Sequence, residues 1–147
     1  MKKKIIKRTE TIKDFIGIYD GYIDEFLCKK VLDLFNKQQK FNKVLKRQEY
    51  HKVPKHLIDD KSILEYHTPF HELAYTSIKI QKTSPGQGYH VWHVERKHNN
   101  YTSNRMLAYT IYLNEVKGGE TEFLHHNQRV DTKVGRIAIW PATFPYI

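Results

Sequence analysis

The chain has 147 residues, 39% of them hydrophobic and 13% aromatic, with one cysteine and a formal net charge of +9. That is enough apolar material for a single domain with its own core, and too little cysteine for a disulfide framework or a cysteine-rich zinc site. No apolar run approaches the roughly 20 residues that span a bilayer, and the charged start Met1-Lys2-Lys3-Lys4 leads into no signal-type apolar core, so a cytoplasmic protein with no membrane partner is expected. The charge is uneven: residues 1–60 carry 15 basic and 9 acidic side chains, residues 61–147 only 10 and 7. A basic front attracts nucleic acid or an acidic protein; the plainer reading is a solvated surface.

Ile5-Ile6 and residues 15–19 are short apolar runs that read as strands, with Asp20-Gly21 supplying turn chemistry after the second. Asp24 then caps a helix reaching about residue 39, whose Leu27, Val31, Leu32 and Phe35 recur at three- and four-residue spacing. Such a stripe needs a sheet to cover, and Cys28 within it reads as a buried structural thiol. Residues 40–70 are rich in Lys, His and Asp and broken by Pro54 and Pro69; Tyr50, His51 and His56 read there as polar surface. Residues 73–82 tighten into a strand with Ile78 and Ile80 on one face and Lys79 and Gln81 on the other. Residues 84–88 turn the chain into a short strand ending in His93-Val94-Glu95. A polar loop at 97–104 precedes a strong strand at 106–113, in which Leu107, Tyr109, Ile111 and Leu113 alternate with Ala108, Thr110 and Tyr112. Strands at 120–124, 128–132 and 136–140 follow. Many short strands at turn spacing point to an all-β sandwich or barrel with one helix in front.

Alternate residues of a strand share a face, so His93 and Glu95 point the same way. One imidazole and one carboxylate on one face are two of the three ligands of a 2-His-1-carboxylate iron site. The bland alternative is a His–Glu ion pair on a strand.

Taken together, His93-Val94-Glu95, then Tyr112-Leu113-Asn114, then Gly118-Gly119-Glu120-Thr121-Glu122-Phe123, then Gly135 before an apolar strand closing in Trp140-Pro141, resemble the prolyl 4-hydroxylase type of Fe(II)/2-oxoglutarate-dependent dioxygenase. The likeness covers residues 73–147, about half the chain. It implies a mainly β double-stranded β-helix, or jelly roll, with an N-terminal supporting helix, and an enzyme that uses Fe(II), 2-oxoglutarate as co-substrate and ascorbate as accessory reductant. By position, His93 is the first iron ligand, Glu95 the carboxylate ligand, and Tyr112 the hydroxyl that meets the distal carboxylate of 2-oxoglutarate. Glu95 stands where the family usually has Asp, one methylene shorter. The branch suggests hydroxylation of a C–H bond in a peptide or protein side chain such as proline, with Trp92, Arg96 and the 97–104 loop near the mouth.

The family's distal His and the basic partner of 2-oxoglutarate lie past its tryptophan-ended strand, where only residues 141–147 remain. One reading is a single oxygenase-like domain, 1–147, that is C-terminally incomplete and lacks its final strand or strands; little turnover is then expected of this stretch alone. A second draws the third ligand from His90, His125 or His126, although His90 falls on the opposite strand face from His93 and His125-His126 reads as a hairpin tip. A third is a degenerate, non-catalytic sandwich. From a different class comes a basic β-sandwich that binds nucleic acid through its N-terminal half, with Tyr50, Tyr66 and Tyr101 stacking on bases.

Overall fold

A computed structural model describes residues 7–44, 62–67, 77–96 and 104–147, the stretch 62–67 through its backbone alone. The expectations at Ile5-Ile6, Tyr50, His51, His56, residues 73–76 and residues 97–103, Tyr101 included, lie outside the described residues, as does the Tyr66 side chain. Among the described residues the molecule is mainly β with one helix, and the strand pairs are antiparallel. It divides into two compact units, Met1–Leu32 with Trp92–Ile147, and Asp33–Val91.

In the first unit, β1 (Thr9–Lys13) and β2 (Ile16–Asp20) form a hairpin. Asp14 and Phe15 turn it with φ of 50° and 64°, the left-handed pair that a two-residue type I′ turn requires. All five β1 side chains are exposed, so this strand has no apolar alternation and is placed by its ladder to β2. The sheet continues through β8 (Ile137–Pro141) to β5 (Leu107–Ile111), in the order β1-β2-β8-β5. Ile16, Ala108, Ala138 and Trp140 are buried. Across the pleat, Leu107 remains 61% exposed. Tyr19 lies flat along β2, its ring where a side chain at Gly17 would stand.

A second layer faces this sheet. β6 (Thr121–Phe123) pairs with β7 (Gln128–Val130) across a turn that holds His125 and His126, the expected hairpin tip. On the other side of β6 runs the 145–147 segment, where Glu122 and Ile147 exchange two backbone hydrogen bonds of 3.0 Å. The opposite edge of that segment meets His93: His93 N–H donates to the Tyr146 carbonyl at 3.1 Å and Tyr146 N–H to the His93 carbonyl at 3.0 Å. The expected His93 strand is therefore a single antiparallel bridge rather than a regular strand. Phe123 and Val130 from this layer close one core with Ile16, Ala108, Ala138, Trp140 and Ala142. The Phe123 ring meets Trp140 edge-on at 5.3 Å, the favoured aromatic arrangement.

The helix α1 (Glu25–Lys40) begins as expected, with Leu27 N–H donating to Asp24 Oδ1 at 2.7 Å. Its buried stripe is turned by one residue from the expected one: Cys28 and Phe35 are buried, Val31 and Leu32 half-buried, and Leu27 exposed. Burial pushes the Cys28 thiol up in pKa, and the thiol meets the backbone at Gly135. Gly135 is in the left-handed region, and a Cβ there would stand 2.1 Å from the Ile23 carbonyl oxygen, so only glycine lets the chain pass.

In the second unit, β3 (Ser62–His67) pairs antiparallel with β4 (Ser77–Lys82) over six residue pairs. β3 lies inside the 40–70 tract whose sequence carries no clear pattern. The turn that follows β4 closes with Gln87 N–H on the Ser84 carbonyl at 3.0 Å, and Gly86 there has φ +78°.

Candidate functional site

The structure brings His93 and Glu95 together on one side of the bridge. His93 Nε2 lies 3.8 Å from Glu95 Oε1, with the side chains 14% and 30% exposed. Both carboxylate oxygens are engaged: the Tyr146 hydroxyl donates to Oε1 at 2.6 Å, and Arg105 Nη1 donates to Oε2 at 2.5 Å. The Tyr146 ring also sits 4.4 Å from the imidazole. Local folding explains the cluster. The His93–Tyr146 bridge sets the two side chains facing across one pair of strands, and Arg105 arrives just ahead of β5.

Tyr112 stands apart from this pair. It follows β5 on the inward-facing side and packs against the shared core. Its hydroxyl meets Thr121 Oγ1 at 2.6 Å and the Val130 carbonyl at 3.4 Å. Burial raises its pKa, so the phenol keeps its proton and remains a donor. In the same core the Trp140 indole N–H is buried, and among the described residues no acceptor reaches it.

The other candidate histidines are elsewhere. His90 is exposed with its ring folded over Gly88. His125 is exposed, while His126 stacks on Phe144 at 4.2 Å and meets Phe123 edge-on. Among the described residues no group of three His, Cys, Asp or Glu side chains is disposed to hold a metal ion. His93 and Glu95 are a pair of neighbouring side chains, one imidazole and one carboxylate. Their 3.8 Å separation exceeds the roughly 3 Å between neighbouring ligands of an octahedral ion, and both oxygens of the carboxylate are engaged by Tyr146 and Arg105.

Sequence reasoning missed Arg105 and Tyr146. Nothing local ties either to Glu95, since Arg105 is 10 and Tyr146 51 residues away along the chain. No family model, no curated protein and no solved structure matches this chain.

Proposed function

We propose that the chain carries the metal-binding part of an Fe(II)/2-oxoglutarate-dependent dioxygenase of the prolyl 4-hydroxylase type, built as a jelly roll and acting on a peptide or protein side chain such as proline. The observation that carries this reading is the approach of His93 Nε2 and Glu95 Oε1 on one side of a two-layer β core, together with motif residues that follow the family's order along the chain. His93 and Glu95 would hold the ion. Iron with 2-oxoglutarate supplies the oxidising chemistry: dioxygen is split between the substrate, as a hydroxyl, and succinate, with loss of carbon dioxide.

The chain's own residues orient and exclude water. Tyr112, a protonated phenol inside the core, is the donor assigned to the distal carboxylate of 2-oxoglutarate, and the buried Trp140 N–H is a second donor in the same interior. A buried carboxylate also needs a cation, and the reading calls for one beside it together with a third iron ligand.

The test is Fe(II) binding and succinate formation from 2-oxoglutarate by the protein, with His93→Ala and Glu95→Ala beside it. Turnover that needs Fe(II) and is lost by at least about 100-fold in both variants is the expected result. A folded protein without turnover or metal binding overturns the reading. Exposed Lys29, Lys30, Lys37 and Lys40 on α1 favour the second reading, a nucleic-acid-binding sandwich; it predicts salt-dependent retention on a nucleic-acid resin together with no metal binding.

A further inference from the structure

We propose that two copies of the chain associate through the open edge of β1, strand against strand and antiparallel, about a two-fold axis at Thr11. The inference stands apart from the iron reading above.

β1 is an outer strand of the sheet β1-β2-β8-β5, and among the described residues nothing pairs with its far side. The two-residue turn decides which groups point there. Lys13 and Ile16 flank the turn and form a hydrogen-bonded pair, so Lys13, Thr11 and Thr9 direct their N–H and C=O groups to β2, while those of Ile12 and Glu10 point outward. Such an unpaired row is a template for another strand, and proteins that keep it unpaired use proline, a bulge or a covering segment. β1 has none of these: its register to β2 runs residue for residue, it contains no proline, and all its side chains are exposed. Thr9, Thr11 and Ile12 also favour extended backbone.

The charges on the strand select a second copy and its register. Only outward-pointing groups bond across the new seam, so the symmetric registers centre on Glu10, Thr11 or Ile12. Centring on Glu10 sets two glutamates opposite each other, and centring on Ile12 sets Glu10 opposite Asp14; like charges so placed repel. Centring on Thr11 avoids both. Glu10 and Ile12 then exchange backbone hydrogen bonds with Ile12 and Glu10 of the second copy, Arg8 comes opposite Asp14, Lys13 opposite Thr9, and the two threonines meet at the axis. The Ile12 side chains, 69% exposed in the single chain, lie diagonal to each other on one face, within reach of contact. One such seam is small beside the roughly 1,600 Å² of a standard interface, so the dimer is weak and forms as concentration rises.

The experiment is sedimentation equilibrium of the full chain from micromolar to near-millimolar concentration, with circular dichroism to show that each variant is folded. Wild type is expected to pass from the mass of one chain to that of two. Thr11→Lys sets like charges at the axis on an exposed side chain, and Ile12→Pro removes an outward N–H that β2 does not use; both are expected to stay monomeric throughout. The register is read by mild oxidation. Opposed Thr11 residues form a non-hydrogen-bonded pair with Cα atoms about 4.5 Å apart, inside the roughly 4.4 to 6.8 Å that a disulfide spans, so Thr11→Cys is expected to give a covalent dimer. Thr9→Cys, set opposite Lys13 rather than opposite itself, and wild type, whose Cys28 is buried, are expected to give little. A wild type that remains monomeric overturns the proposal and leaves the edge to a strand from another protein. A dimer that persists in both Thr11→Lys and Ile12→Pro overturns it too, because the copies then meet elsewhere, and cross-linking of Thr9→Cys as readily as Thr11→Cys overturns the axis at Thr11.

Discussion

At Asp20 one carboxylate is shared by two cations from a distant part of the chain. Arg136 donates Nε–H to Oδ1 at 2.8 Å and Nη2–H to Oδ2 at 2.9 Å, and Lys133 reaches Oδ2 at 3.0 Å. The Arg136 guanidinium, more than Lys133, holds the carboxyl down at about 2 against an ordinary 3.8. A folded pKa below the unfolded one means that the pair's stabilisation is present above about pH 4 and is lost as the pH falls toward 2. A shift of that size corresponds to about 2 kcal/mol. Asp20→Asn is therefore expected to cost about 2 kcal/mol at pH 7 and to flatten the acid side of the stability profile between pH 4 and 2. Urea unfolding across a pH series checks both; an unchanged acid limb would remove the pair from the account. The sequence marks Asp20 only as turn chemistry, because its partners are 113 and 116 residues away. His93 and Glu95 were legible for the opposite reason: they are two residues apart, and extended-chain alternation puts them on one side although only His93 is bridged.

Among the elements, α1 has the most local grammar. Asp24 satisfies the Leu27 N–H, and removing that acceptor in Asp24→Ala is expected to lower stability by about 1 kcal/mol, read as a shift in the urea midpoint at unchanged slope. Capping and apolar spacing place the helix to within a residue at each end. Spacing alone does not tell which edge of the stripe is inward, and Cys28 rather than Leu27 takes the buried place. Strands β5 to β8 were legible because apolar residues alternate between turn signals. β1 was not, since Thr9–Lys13 exposes every side chain and owes its form to the β2 ladder. β3 was not, since its pairing with β4 fixes it within a tract whose charges mask any period. The His93 bridge was over-read as a strand: the glycine turn and alternation around it are strand signals, yet regular pairing does not extend beyond one residue.

On the scale of the whole first unit, one core serves two layers, and Phe123 sits where they meet. It is 1% exposed, lies edge-on to Trp140 and is bridged through its backbone to Tyr146. Phe123→Ala is expected to cost about 4 kcal/mol and to loosen both layers in one transition. Coincident loss of near- and far-ultraviolet circular dichroism on heating is the check; two separated transitions would show that the layers unfold independently. The mainly β character, the antiparallel sheets and the single helix of the described residues were legible from strand spacing and one capped periodic segment. The closure of the layers was not, because it depends on contacts such as His93 with Tyr146 that no local pattern encodes.

The ladder between β2 and β8, with the Asp20–Arg136 pair at its end, also has a meaning for biosynthesis. At about 5 to 20 residues per second, a ribosome needs roughly 6 to 23 s to make the 116 residues between those two partners. For that interval the nascent β1–β2 hairpin, with Ile16 otherwise destined for the core, has no sheet to join. Until β8 emerges, Ile16 lacks the partners that bury it.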